Sequence, residues 1–353
     1  MLYLCYSIND FFAREAGISL VGFFENNLDY EPEEVFFLDY GIHAINKQKL
    51  ESIAAHYGRR ITYLKAKSIT AQMKREFPHL KAWRGTMAPN AKAFVDIIMP
   101  DYVHRLLFVD ADTVVAGSVR ELNHLDMGGA ALGVVPAALK KEELAKKSVK
   151  LESGNKIYFN SGVLLYDLDN WRRENCHQMI LDMLQKKINL DWPDQNLLNN
   201  AIPERIIKCL PLKFNYLTHY YHPKQELYML HRCHVYSEQE IQEAIHHPAI
   251  IHYLGGWVMS RPWYKGCRST HSEEYLRYKA LSPWKDTPLF IHSTDTKPPT
   301  DFRGRLSYWQ MKQYSKCHSY RLTRLTDLFC KKIFWIMNKY EHLKQKLRWS
   351  RTE

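Results

Sequence analysis

The sequence predicts an α/β fold with a mostly parallel central sheet, and three observations lead there. Short apolar runs alternate with amphipathic helical segments through the first 110 residues. A length of 353 residues and an apolar content of 46% suit one large globular domain with an appendage. Two carboxylates, Asp110 and Asp112, directly follow an apolar run, and ligands of such folds sit beyond the carboxyl ends of the strands.

In order, Leu2–Ser7 reads as the first strand and Arg14–Asn26 as a helix with Ile18, Val21 and Phe24 on one side. Glu34–Tyr40 is a second strand, Lys47–His56 a helix and Arg60–Lys65 a third strand. Ala88–Ile98 reads as a helix and Arg105–Val109 as the fourth strand. Further strands are expected at Ala131–Val135, Tyr158–Tyr166 and Ala249–Leu254, and helices at Trp171–Lys187 and Asp194–Ala201. After about residue 265 the pattern changes, and Pro283, Pro288, Pro298 and Pro299 mark an irregular strap. The expected division is a domain over 1–265 and an extension over 266–353.

That extension holds most of the charge. From Arg303 onward there are 13 Lys and Arg against 3 Asp and Glu, so this tail carries +10 of the net +11. The remainder is nearly neutral, which argues against a nucleic-acid binder. Leu322, Leu325, Phe329, Ile333, Ile336, Tyr340, Leu343 and Leu347 step by three or four, a basic amphipathic helix at about 321–349. Such a helix fits an anionic membrane surface, and alternatively packs on the domain or pairs with a second copy in a homodimer. The seven cysteines are scattered without a CxxC pair, which fits a reducing cytoplasm. The first residues lack a basic, apolar leader, and no run of about 18 apolar residues occurs. The expected location is therefore cytoplasmic, on the inner face of the membrane.

Four segments carry the chemistry. In Leu106–Asp112 an extended chain places Asp110 and Asp112 on one side with Ala111 between them. Paired carboxylates repel one another, and a hard divalent cation removes the conflict. His252, Gly255, Gly256 and Arg261 form the second group: an imidazole ligand, glycines that admit phosphates, and a cation to pair with them. Asn160 and Ser161 open an apolar strand and can bond sugar hydroxyls. Asp194 and Gln195 open a helix, where Asp194 is either an N-cap or a sugar contact.

The ordered set LFVDADTVV, YFNSGVLLYDLDNWR, DWPDQNLLN and HYLGG…RPW resembles the retaining glycosyltransferases of family 8, over roughly residues 1–265. The resemblance implies a GT-A, Rossmann-like mixed sheet flanked by helices. It also implies Mn²⁺ (or Mg²⁺) dependence and a UDP-sugar donor from which galactose or glucose passes to a glycan or glycolipid acceptor of the cell envelope. A protein- or self-glycosylating transferase is one alternative, and a non-catalytic nucleotide-sugar- or membrane-binding protein is a second. By position, Asp110, Asp112 and His252 correspond to metal ligands. Ser7, Asn9, Lys92, Asp110, Ala111, Asn160, Ser161, Gly255, Gly256 and Arg261 correspond to donor contacts, and Asp194 and Gln195 to residues at the reacting sugar. The family's HxxGxxKPW pattern is three residues longer here, and Arg261 replaces its Lys. No carboxylate is placed as an evident nucleophile, so a same-face substitution is expected.

Overall fold

The computed structural model describes residues 1–137, 151, 153–186, 190–218, 235–254, 261–267, 269–291 and scattered positions between 302 and 339. Its centre is a seven-stranded sheet in the order β3-β2-β1-β4-β7-β6-β8. The strands are β1 Leu2–Ile8, β2 Glu34–Asp39, β3 Arg60–Leu64, β4 Arg105–Val109, β6 Leu132–Pro136, β7 Phe159–Asp167 and β8 Ile207–Cys209. β3, β2, β1 and β4 run parallel, whereas β7 is antiparallel to both neighbours. The sheet is mixed, and the predicted class holds.

Both sheet faces are buried, and side-chain alternation builds a core on each. Leu4, Tyr6, Phe37, Leu107, Val109 and Val163 pack on one side, against the helix Ala13–Asn26. Cys5, Phe36, Phe108, Leu164 and Tyr166 pack on the other, against Cys176–Gln185 and Pro193–Ala201.

A second sheet, β5-β10-β9, consists of Thr113–Val115, Ile250–His252 and Tyr216–Leu217. β10 pairs antiparallel with β5, in a register that sets His252 opposite Thr113. The expected strand Ala249–Leu254 is shorter, and its partners β5 and β9 lacked a pattern long enough to read.

Two expected helices differ from prediction. Ala88–Phe94 is a 3₁₀ segment followed by one α turn, Val95–Ile98. Tertiary contacts draw it tight: Ala88 accepts from Ser7 Oγ at 2.8 Å, and buried Asn90 donates to the Lys81 carbonyl at 3.0 Å. The expected helix Trp171–Lys187 is two, Leu168–Arg173 and Cys176–Gln185. The break is at Asn175, in the left-handed region (φ 54°) that Asn tolerates better than most residues.

The helix Ser272–Leu281 was not anticipated. Its Tyr275 and Tyr278 are buried in the same core as β1 and β4, as is Trp284. Trp284 packs where a Cβ on Gly17 would lie 2.3 Å from its ring. Tyr275, Tyr278 and Trp284 thus share this core. Described tail positions from Leu325 to Lys339 are helical. Cys330 is buried there, while Leu325, Leu328, Phe329, Trp335 and Ile336 are each more than half exposed. Among the described residues, no helix is long and apolar enough to cross a membrane.

Candidate active site

Strand pairing assembles the site. The β4–β7 ladder continues past Val109↔Val163, with Asp110 N–H bonded to the Gly162 carbonyl at 2.8 Å. That sets Asn160, Ser161 and Gly162 beside the Asp pair. The β5–β10 ladder likewise continues through Tyr253 N–H to the Asp112 carbonyl at 2.9 Å. His252 therefore arrives next to Asp112, its Nε2 3.2 Å from Oδ1.

Asp110, Asp112 and His252 each offer a ligand atom, all within 4.8 Å of one another. The oxygen and imidazole donors suit a hard or borderline divalent cation. His252 Nδ1 lies 3.0 Å from Asn215 Oδ1, an outer contact of the kind that orients a metal-binding imidazole. Space for the ring depends on Gly162, where a Cβ would stand 2.1 Å from His252 Cε1. Gly162 thus belongs to the site for a steric reason the sequence did not disclose.

Lys92 lies under the pair, 1% exposed, with Nζ 2.7 Å from Asp110 and 2.9 Å from Asp194. Burial would lower its pKa, but the two carboxylates outweigh burial and hold it above the ordinary lysine value. Its ion pairs go to these two carboxylates. Asp194 Oδ2 also accepts from Ser161 Oγ at 2.7 Å. The helix starts one residue earlier than expected, with Pro193 in its first turn, so Asp194 is not the N-cap.

Burial pushes the Asp110 carboxyl up to about 6; Lys92 opposes this and Asp112 reinforces it. Asp112 goes the other way. Burial would raise it, but His252, Arg261 and Lys92 hold it well below the usual carboxylate range. The two carboxylates thus sit apart in acidity, and a cation held between them would need both ionised.

Two adjoining cavities of about 470 and 400 Å³ meet at this centre. Ser7, Asn9, Ala111, Phe11 and Phe12 line the first. Lys92, Asn160, Ser161, Asp194, Gln195 and Trp192 line the second. Trp83, Arg84, Asp110, Asp112 and Arg261 border both. Among the described residues, Asn9 Oδ1 is a buried acceptor without a hydrogen-bond partner. Arg261 Nη2 is 3.4 Å from Asp112. Gly255 and Gly256 lie outside the described residues.

Sequence reasoning missed several lining residues. Trp83, Arg84, Gly85 and Thr86 form a two-residue turn closed by Trp83 N–H to Thr86 O (2.9 Å) and Thr86 N–H to Trp83 O (3.0 Å). Arg84 has a positive φ of 48°, uncommon outside glycine and a form of strain that clusters at working sites. Burial and the nearby Arg261 guanidinium lower its pKa, so two cations converge on one mouth. Trp192, in the DWPDQN segment, has its ring centre 4.9 Å from that of Trp83 at a tilt of 36°, and is 55% exposed.

Known proteins share this chain's sequence pattern and fold. The profile described as Glycosyl transferase family 8 matches residues 3–267. The general stress protein A of Bacillus subtilis (strain 168) is 24% identical over 289 residues, covering 80% of this chain and 95% of its own. The lipopolysaccharide 1,2-glucosyltransferase of Escherichia coli (strain K12) is 28% identical over 265 residues, covering 74% and 71%. The solved galactosyltransferase LgtC, in complex with donor and acceptor sugar analogues, shares the fold at a TM-score of 0.63 and 20% identity, covering 80% of this chain and 96% of that one. With three quarters of its length matched by the family profile and a mixed sheet of the GT-A kind, this chain belongs to glycosyl transferase family 8.

Proposed function

We propose that this enzyme transfers galactose or glucose, with retention of configuration, from a UDP-sugar to a cell-envelope glycan. The observation that carries this reading is the Asp110–Asp112–His252 cluster at the junction of two cavities. One cavity offers aromatic faces and an orphaned amide oxygen for a nucleotide; the other offers the polar side chains a sugar requires. Curated relatives that are lipopolysaccharide glucosyl- and galactosyltransferases support the hexose and the acceptor class.

In this reading Asp110, Asp112 and His252 hold Mn²⁺, which when bound neutralises charge on the departing diphosphate. Arg84 and Arg261 clamp the same phosphates. Phe11, 58% exposed, offers its ring to the base, and Asn9 accepts from it. Asn160, Ser161 and Asp194 orient the donor sugar, while Gln195 faces the reacting carbon. Asp194 is bonded to Lys92 and Ser161, which suits a positioning carboxylate better than a nucleophile. The Trp83–Trp192 pair gives the acceptor ring an apolar face to stack on. The catalytic body extends through Trp284, and the tail beyond it rests on the cytoplasmic face of the membrane.

A hydrolysis screen of nucleotide sugars tests this. With Mn²⁺, UDP-galactose or UDP-glucose should be turned over, with at least a hundredfold loss in Asp112→Asn. Failure of every UDP-sugar, or equal turnover by Asp112→Asn, would overturn the reading.

A further inference from the structure

Five polar side chains run in one unbroken chain away from the metal-facing imidazole. His252 Nδ1 meets Asn215 Oδ1 at 3.0 Å, and Asn215 Nδ2 donates to Asn160 Oδ1 at 3.1 Å. Asn160 Nδ2 donates to Gln195 Oε1 at 3.0 Å, and Gln195 Nε2 donates to Tyr158 Oη at 2.6 Å. The side chains come from five segments: β10, the turn Leu212–Asn215, β7, the helix Pro193–Ala201 and the residue before β7.

One backbone group fixes the direction of the whole chain. Gly162 N–H donates to Asn160 Oδ1 at 2.8 Å. A backbone N–H can only donate, so Asn160 must present its oxygen there and its amino group to Gln195. Asn215 must then turn its amino group to Asn160 and its oxygen to His252. His252 thus keeps a proton on Nδ1, which leaves Nε2, on the side of Asp112, as the nitrogen that would face a bound cation. At the far end, Gln195 is obliged to turn its amino group to Tyr158. A chain in which every member both donates and accepts reinforces its own polarity. Asn215 is 1% exposed and lines neither cavity, so direct contact with a ligand does not account for it.

We infer that Asn215 is a positioning residue of a directional amide relay, His252–Asn215–Asn160–Gln195–Tyr158, that couples the lone pair offered to the metal to the orientation of the Gln195 amide. This rests on the reading of the triad as a metal site and Gln195 as a residue of the sugar cavity. Its consequence is that changes at the sugar end alter cation affinity, and changes at Asn215 alter turnover even when the cation is saturating.

Two variants separate the links. Asn215→Asp keeps an oxygen acceptor for His252 Nδ1–H but removes the donor to Asn160. Mn²⁺ affinity should stay within about threefold of wild type or tighten, while kcat for UDP-sugar hydrolysis at saturating Mn²⁺ falls tenfold or more. Asn215→Ala removes both links, and Mn²⁺ should bind about tenfold more weakly or worse. Asn160→Ala leaves every metal ligand in place, yet should weaken Mn²⁺ binding about threefold or more. It decides the matter if Asn215→Asp does not fold. Wild-type Mn²⁺ affinity in Asn160→Ala overturns the relay, as does unchanged kcat in Asn215→Asp, or equal loss of affinity in the two Asn215 variants. The Mn²⁺ titrations use the metal alone. They decide the relay even if wild type turns over no UDP-sugar, an outcome that counts against the proposed function instead.

Discussion

Asp110 shows how one residue links stability to ligand. Its carboxyl moves from 3.8 to about 6, first by burial and then by the balance of Lys92 against Asp112. A raised acid pKa means the folded, metal-free protein binds that proton more tightly than the unfolded chain does. This group's stabilising contribution is therefore lost as pH rises through about 6. A divalent cation needs the ionised form, so it meets a proton to displace below that pH. The rise in melting temperature caused by Mn²⁺ over EDTA should be larger at pH 7 than at pH 5, as scanning calorimetry would show. Equal rises at both pH values would remove Asp110 from the ligand set. Ala111, the small residue between the two acids, is buried with the core, so a large side chain there would press on the strand end that carries both acids.

At the scale of elements, the site depends on how closely the first helix approaches the second sheet. Helix propensity alone favours Gly→Ala by about 1 kcal/mol. At Gly22 packing reverses that sign. A Cβ there would stand 2.5 Å from the Val115 carbonyl and 3.0 Å from the Tyr278 ring. The carbonyl belongs to β5, the strand that follows Asp112 and pairs with β10. Gly22→Ala should destabilise the protein by roughly 1–2 kcal/mol, the overpacking cost exceeding the propensity gain. It should also weaken Mn²⁺ binding by shifting Asp112 relative to His252. Thermal melts and a Mn²⁺ titration check both; a rise in melting temperature would mean that the helix moves aside freely.

At the scale of the whole molecule, the tail presents two unlike faces. Cys330 is buried, while Leu328, Phe329 and Trp335 are more than half exposed beside exposed Lys332 and Lys339. Lys339 Nζ sits 4.6 Å from the Trp335 ring centre. Exposed apolar rings flanked by lysines fit an anionic bilayer surface. The stripe drawn from spacing alone had counted Ile333 with Phe329 and Ile336, but Ile333 is partly buried and the other two are not. The full chain carrying Leu328→Ser, Phe329→Ser and Trp335→Ser should keep its melting temperature. It should also lose about tenfold or more of its co-sedimentation with phosphatidylglycerol vesicles. Undiminished co-sedimentation would leave the apolar face without a membrane role.

What the sequence determined by itself was the α/β class, the four parallel strands of the first half and the position of Asp110 and Asp112. Apolar period and strand-end placement are local properties, legible in one chain. His252 and Gln195 were singled out from short local motifs, and the resemblance added only their correspondence to family positions. What brings His252 to Asp112 is the pairing of β10 with β5 across more than a hundred residues, and strands this short leave no periodic trace. Tertiary structure alone decided the contacts of Gly162 and Asn215 with His252, the turn that carries Trp83 and Arg84, and the packing of Ser272–Leu281 into the core. Each is a contact between distant segments, set by the volume and polarity of what arrives opposite.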